Sequence, residues 1–326
     1  MENEDLFESR VDLTEVATTF NAIQTEINKV VLGQQKIVEQ LSIALLSEGH
    51  VLIEGLPGVA KTLTAKCLAK TVDSDFSRIQ FTPDLMPSDV IGTMIYNPKT
   101  SEFNFKQGPI HSNIVLIDEI NRAPAKTQAA LFECMEERQV TVDGKTHALS
   151  APFIVIGTQN PVDHEGTYRL PEAQLDRFMF KLVVDYPTIE HEQKILELHQ
   201  NIGHRLDLLD IKKAVNFKQL ESIQKTISKV KVKPEILAYI ASIIHETRNN
   251  PNIYLGASPR ASLCLLQTSK VLAAVSGRDF VIPDDVKEMI IPVINHRIVL
   301  NPEKEMEGMT NQGALKFIVD KVTVPS

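Results

Sequence analysis

HVLIEGLPGVAKTLTAKCLAKTV, residues 50–72, joins an apolar β-type run, a glycine-bearing bend and a helical pattern without a break. A strand that feeds a helix through such a bend suits phosphate. Glycines let backbone N–H groups turn toward an anion, and the helix start adds open donors and a partial positive charge. Within GLPGVAKT, residues 55–62, Lys61 is placed to reach the β and γ phosphates of a nucleotide, and the Thr62 hydroxyl to coordinate Mg2+. The usual spelling is GxxxxGK followed by Ser or Thr. Here Ala60 stands in place of the second glycine. One extra methyl is tolerated if the backbone there is already in the right-handed helical region, and binding is expected to survive.

Outward from this stretch, apolar runs alternate with helical patterns up to about residue 190. The runs HVLIE (50–54), FSRIQF (76–81), NIVLID (113–118), PFIVIG (152–157) and FMFKLVV (178–184) are strand candidates. Several are apolar throughout, as buried parallel strands are. Two segments interrupt the alternation. Residues 91–106 hold IGTMIY, the turn-forming NPKTS and EFNF, which read as an inserted β-hairpin. Residues 139–149 set Asp143 and Gly144 between QVTV and KTHAL, a stronger hairpin signal because both turn residues tolerate positive φ. Beyond residue 190, apolar spacings of three and four predict amphipathic helices, with start signals at Pro234, at Ser258–Pro259 and at Pro283 followed by Asp284 and Asp285. The expected organisation is an α/β domain over 1–190, with a helical segment at its start, and a helical domain over 191–326.

Further polar positions collect where the strands end. NIVLIDEI finishes in Asp118 and Glu119, two carboxylates at the carboxyl edge of the predicted sheet, where ligands of open α/β sheets bind. Asp118 suits a partner for Mg2+ and its waters, and Glu119 a base that orients an attacking water. FIVIGTQNP ends in Gln159 and Asn160, amides able to hold such a water. Arg177 directly precedes the fifth strand in LPEAQLDRF. In GASPRAS, residues 256–262, Arg260 sits in the first turn of a helix, where a cation opposes the dipole unless an anion lies near.

GLPGVAKT, IVLIDEINRAP, GTQNP, LPEAQLDRF and GASPRA, in this order, resemble the MoxR family of AAA+ ATPases, whose AKT spelling accounts for Ala60. The resemblance spans most of the chain. It implies an AAA+ P-loop core with a five-stranded parallel sheet, β-hairpin insertions and a C-terminal helical lid domain. By motif position, Gly55, Pro57, Gly58, Val59, Ala60, Lys61, Thr62 and Leu63 would hold ATP, and Gly33 and Gln34, in VVLGQ, would lie beside the adenine. Asp118 and Thr62 would face Mg2+. Glu119, Asn160, Lys61 and Arg177 would be catalytic, with Arg177 an arginine finger and Arg260 a lid sensor. The family usually reads TYPLPEAQ where this chain has Tyr168, Arg169, Leu170 and Pro171, so Arg169 competes with Arg177 for the finger role. Arg122 fits a structural or interfacial cation. The resemblance also implies a ring, commonly a hexamer, that remodels or activates protein partners, typically ones carrying a von Willebrand factor A domain. A metal-chelatase motor subunit and a nucleotide-gated binding module with little hydrolysis are the alternatives.

Composition narrows the classes. The chain has 326 residues, about twice a typical domain, with 43% hydrophobic and 23% charged residues, which excludes disordered and fibrous classes. A net charge of -8 argues against a nucleic-acid binder. The lysines at 225, 229, 231 and 233, without interleaved aromatics, read as a solvated surface. No apolar run approaches the ~18 residues of a membrane helix, and the acidic start MENEDLFESR lacks the features of a secretory signal, so the cytoplasm is expected. Cys67, Cys134 and Cys264 match no metal or disulfide spacing and read as buried thiols.

Overall fold

The computed structural model describes residues 11–56, 58–160, 168, 170–202 and 211–325. They divide into two compact units, one of Ile23–Phe217 and one of Lys218 onward together with the segment up to Ala22. After helices α1 (Thr14–Asn28) and α2 (Gln35–Leu46), the first unit runs β1 (Val51–Gly55), α3 (Lys61–Thr71), β2 (Phe76–Gln80) and α4 (Pro87–Ile91). It continues with β3 (Gly92–Asn97), β4 (Glu102–Gln107), β5 (Ile114–Asp118), α5 (Ala125–Glu137), β6 (Gln139–Val142) and β7 (Lys145–Ala148). Last come β8 (Ile154–Gln159), α6 (Glu172–Leu175), β9 (Phe180–Val184) and α7 (Ile189–Ile202).

Five of these strands form one parallel sheet in the order β2-β5-β8-β1-β9, each at one of the predicted apolar runs. The interior strand β5 is buried at every residue, which is why its sequence does not alternate. Phe81, Phe132, Phe153 and Phe178 pack with Val115, Ile117 and Val155 in the core of this unit. His50, just before β1, is buried there. Its Nδ1 accepts from the Val155 N–H at 3.0 Å, so the proton sits on Nε2, which faces the Met135 carbonyl at 3.1 Å. Burial lowers its pKa from 6.5 to about 4.

Both predicted hairpins are present. β3 pairs with β4 from Gly92–Gln107 to Asn97–Glu102, and β6 with β7 from Gln139–Ala148 to Val142–Lys145. Asp143 and Gly144 have φ of 51° and 73°, the turn geometry that matches strand twist. The hairpins meet through Phe105, whose ring stacks on His147 with centroids 4.2 Å apart.

The second unit holds α8 (Phe217–Ser228), α9 (Pro234–Asn249), β10 (Ile253–Leu255), α10 (Pro259–Val275) and α11 (Pro283–Ile294), then β11 (Val299–Leu300), α12 (Pro302–Met306) and α13 (Asn311–Lys321). Helices α9, α10 and α11 begin where the sequence signals them. Ser258 caps α10 by accepting from the Arg260 N–H at 3.2 Å, and Asp285 accepts from the Ile282 N–H at 2.9 Å at the start of α11. Asp285 also takes a bidentate pair from Arg278 at 2.6 and 2.8 Å. The short antiparallel β10–β11 pair carries no periodic signal in the sequence. Among the described residues no helix is long and apolar enough to cross a membrane. The three cysteines are buried, and burial pushes the Cys134 thiol up to about 12.

Candidate functional site

β1 ends at Gly55 and α3 begins at Lys61, so the chain reverses from sheet to helix in five residues. Gly55 is required by packing: a Cβ there would stand 2.8 Å from the Val184 carbonyl. Gly58 has φ of +85° with open space where a Cβ would stand. The Gln34 side-chain amide donates to the Val59 carbonyl at 2.9 Å and ties this bend to the segment before α2. Nearby Gly33, at φ +78°, lies against His191, 2.8 Å from the position of a Cβ. Lys61 folds back so that its Nζ donates to the Gly55 carbonyl at 2.5 Å, and Thr62 and Leu63 follow it, half-buried, in the first turn. Pro57 lies outside the described residues.

Ala60 corrects the expectation for this loop. Its backbone is left-handed, φ 58° and ψ 20°, and not in the right-handed region. The tight entry explains this. The Ala60 carbonyl already serves α3, accepting from the Thr64 N–H at 2.9 Å and the Thr64 hydroxyl at 3.0 Å, while Gly58, two residues earlier, is also at positive φ, +85°, so the chain enters the helix through the left-handed region. Alanine pays a steric cost that glycine in the usual spelling avoids.

The carboxylates lie along the same edge of the sheet. Asp118 ends β5 as a buried side chain, with Oδ1 accepting from the Thr158 hydroxyl at 3.1 Å and Oδ2 from Arg78 Nε at 2.6 Å. Glu119 is left-handed at φ 57° and ψ 50°, a strained conformation of the kind that collects at functional sites. Its N–H donates to Thr158 Oγ1 at 3.1 Å, and its Oε2 accepts from Gln80 Nε2 at 2.7 Å with Arg122 Nε at 3.3 Å. One hydroxyl, that of Thr158, therefore fixes both acidic residues. Arg78 and Gln80 reach them because they are two apart on β2 and share a face, and because Gln80 is in register with Asp118.

Asn160 directly follows β8 and is half-buried. Arg177 precedes β9, with Nη1 donating to the Phe132 carbonyl at 2.7 Å and lying 3.0 Å from Glu136 Oε2, so within the chain it tethers α5. Arg169 lies outside the described residues. Arg260 belongs to the second unit, at the start of α10. The structure thus brings the bend, Gln34, Asp118, Glu119 and Asn160 to the ends of β1, β5 and β8. Motif reading missed Thr158, Arg78 and Gln80.

Residues 50–180 match the ATPase family associated with various cellular activities (AAA), and residues 245–316 match the AAA lid domain. Chaperone MoxR1 of Mycobacterium tuberculosis is 41% identical over 322 residues, covering 95% of this chain and 83% of that protein. The chain belongs to the MoxR family of AAA+ ATPases. The uncharacterized protein YeaC of Bacillus subtilis is 46% identical over 299 residues, 92% of either chain. A crystal structure from Cytophaga hutchinsonii, named as a candidate ATPase, superposes with a TM-score of 0.88 at 42% identity and covers 96% of this chain and 97% of that one. As a MoxR-family AAA+ ATPase, the chain is a nucleotide-binding protein.

Proposed function

We propose that the carboxyl edge of the five-stranded sheet is the ATP site, and that the chain hydrolyses Mg2+-bound ATP within a hexameric ring to remodel or activate protein partners. The observation that carries this reading is the bend with Lys61 and the pair Asp118 and Glu119 at one sheet edge. The bend suits a triphosphate. Ala60 offers α3 no capping acceptor, so the first N–H groups of the helix have no side-chain oxygen from that position, and Gly58 leaves room for close approach. Asp118 and the Thr62 hydroxyl suit Mg2+, which binds one or two protein oxygens and completes its shell with phosphate oxygens and water.

Bound Mg2+ would neutralise the charge that develops on the phosphate oxygens. Lys61, on leaving the Gly55 carbonyl, would add its ammonium to the same group. Glu119, fixed by its backbone bond to Thr158, orients a water and takes its proton, and Asn160 supplies an amide to position that water. A finger arginine from a neighbouring subunit, Arg177, completes the charge balance, and Arg260 on the lid unit answers the γ phosphate. The relative named Chaperone MoxR1 supports a protein-directed role, and a von Willebrand factor A domain protein is the partner proposed from the family resemblance. Phosphate release measured across protein concentration tests the reading. Turnover per chain should rise steeply with assembly, and adenine nucleotides should give binding heat in calorimetry. A purified, folded chain that binds no nucleotide with Mg2+ would overturn it.

A further inference from the structure

The carboxylate proposed to face Mg2+ is already matched to a cation within the chain. Arg78 Nε stands 2.6 Å from Asp118 Oδ2, on a side chain that is 51% exposed, whereas the Asp118 side chain is 10% exposed. The two ends of the pair differ in freedom. Asp118 is the last residue of a fully buried strand and is held on its other oxygen by Thr158. Arg78 reaches it from β2, an edge strand of the sheet, with half its side chain in water.

A carboxylate so buried needs a compensating charge. Mg2+ demands near-octahedral oxygen geometry at close range. A guanidinium N–H on Oδ2 occupies a lone pair that a metal ion or its water would use. Arg78 can leave at little cost, because an exposed arginine recovers water and rotamer freedom on release. Gln80, two residues on, is neutral and contacts Glu119, so the charge at Asp118 comes from Arg78.

We propose that Arg78 is a built-in substitute cation for Asp118, which neutralises the carboxylate until Mg2+ arrives with the nucleotide and then yields it. Arg78 is therefore a positioning residue that sets how strongly nucleotide binding depends on metal. The inference rests on the reading of Asp118 as the metal-facing carboxylate. Without Arg78, the bare carboxylate repels a metal-free triphosphate and attracts a divalent ion more strongly. Metal-free binding weakens while metal-bound binding holds or tightens.

The test is titration of a fluorescent ATP analogue in EDTA and in Mg2+, for the full chain and its Arg78→Gln and Arg78→Lys variants, with melting temperature as the check on folding. The ratio of metal-free to metal-bound Kd should rise about fivefold in Arg78→Gln, the equivalent of a partly exposed ion pair. It should stay within about twofold of the parent in Arg78→Lys, which keeps the charge. Mn2+ titration followed by electron paramagnetic resonance should show tighter metal binding in Arg78→Gln. An unchanged ratio in a folded Arg78→Gln chain overturns the proposal, as does an Arg78→Lys chain that behaves like Arg78→Gln. Should Arg78→Gln fail to fold, the parent chain still decides: the Arg78 Nε–H resonance, assigned by its loss in Arg78→Lys, should move with Mg2+ and nucleotide together and hold its position with nucleotide in EDTA. A resonance that does not move overturns the proposal. A parent chain that binds no nucleotide with Mg2+ would instead sink the ATP-site reading, so the two failures are separable.

Discussion

Ala60 enters α3 from the left-handed region, where a Cβ costs about 1 kcal/mol against glycine. Ala60→Gly removes that strain but loosens the unfolded chain by roughly half as much or more. The expected result is a neutral to slightly raised stability, by no more than about 1 kcal/mol, read as a small upward shift in melting temperature. Gly33→Ala runs the other way, since it adds a Cβ at φ +78° and 2.8 Å from His191, and should cost about 1–3 kcal/mol in chemical denaturation. The proposed machinery separates binding from turnover. Lys61→Ala should abolish nucleotide binding in calorimetry. Glu119→Gln should bind ATP and retain it, with phosphate release down by roughly 10²-fold or more. A Glu119→Gln chain that turns over normally would remove Glu119 from the proposed mechanism.

At the scale of elements, His50 pins the start of β1 to the backbone of β8 and to the carbonyl of Met135 on α5. The Val155 bond requires the neutral ring, because Nδ1 must keep its lone pair to accept it. Its folded pKa of about 4 lies below the ordinary 6.5, so the unfolded chain takes up this proton first as pH falls. The stabilisation is complete above pH 6.5 and is lost between there and about pH 4, amounting to roughly 3 kcal/mol. Urea unfolding at intervals across that window should show a slope that is shallower by up to one proton in His50→Gln. An identical slope would mean that His50 binds its proton equally well in the folded and the unfolded chain. Element by element, the sheet was legible because buried parallel strands such as β5 run apolar, IVLI, up to the Asp118 that ends them, and the β6–β7 hairpin because Asp143 and Gly144 spell their turn. Arg78, Gln80 and Thr158 were not legible. Their roles depend on which strands lie side by side, and the order β2-β5-β8 is a property of crossovers that no local pattern in FSRIQF or GTQNP encodes.

For the whole molecule, the question is whether one chain can complete its own site. Arg177 is engaged at home, on the Phe132 carbonyl and Glu136, so a role in a neighbour's site requires it to exchange those partners on assembly. That exchange is modest in cost, since both bonds lie in a half-exposed setting. Arginine fingers contribute roughly 10³ to 10⁵ in rate, or about 4–7 kcal/mol, far more than the tether is worth. Arg177→Ala should therefore spare ATP binding and abolish turnover of the assembled chain, with a melting temperature only slightly lowered. Mixing decides whether the arginine acts across a boundary. Arg177→Ala subunits keep Lys61 and a nucleotide site but lack the finger, whereas Lys61→Ala subunits keep the finger and lack the site. Each alone should be inactive. In a mixed ring, every Arg177→Ala site that receives its finger from a Lys61→Ala neighbour is complete. Phosphate release should therefore return in the mixture and peak near equal proportions. A mixture as silent as its components would confine Arg177 to tethering α5 and leave the crossing role to a different cation.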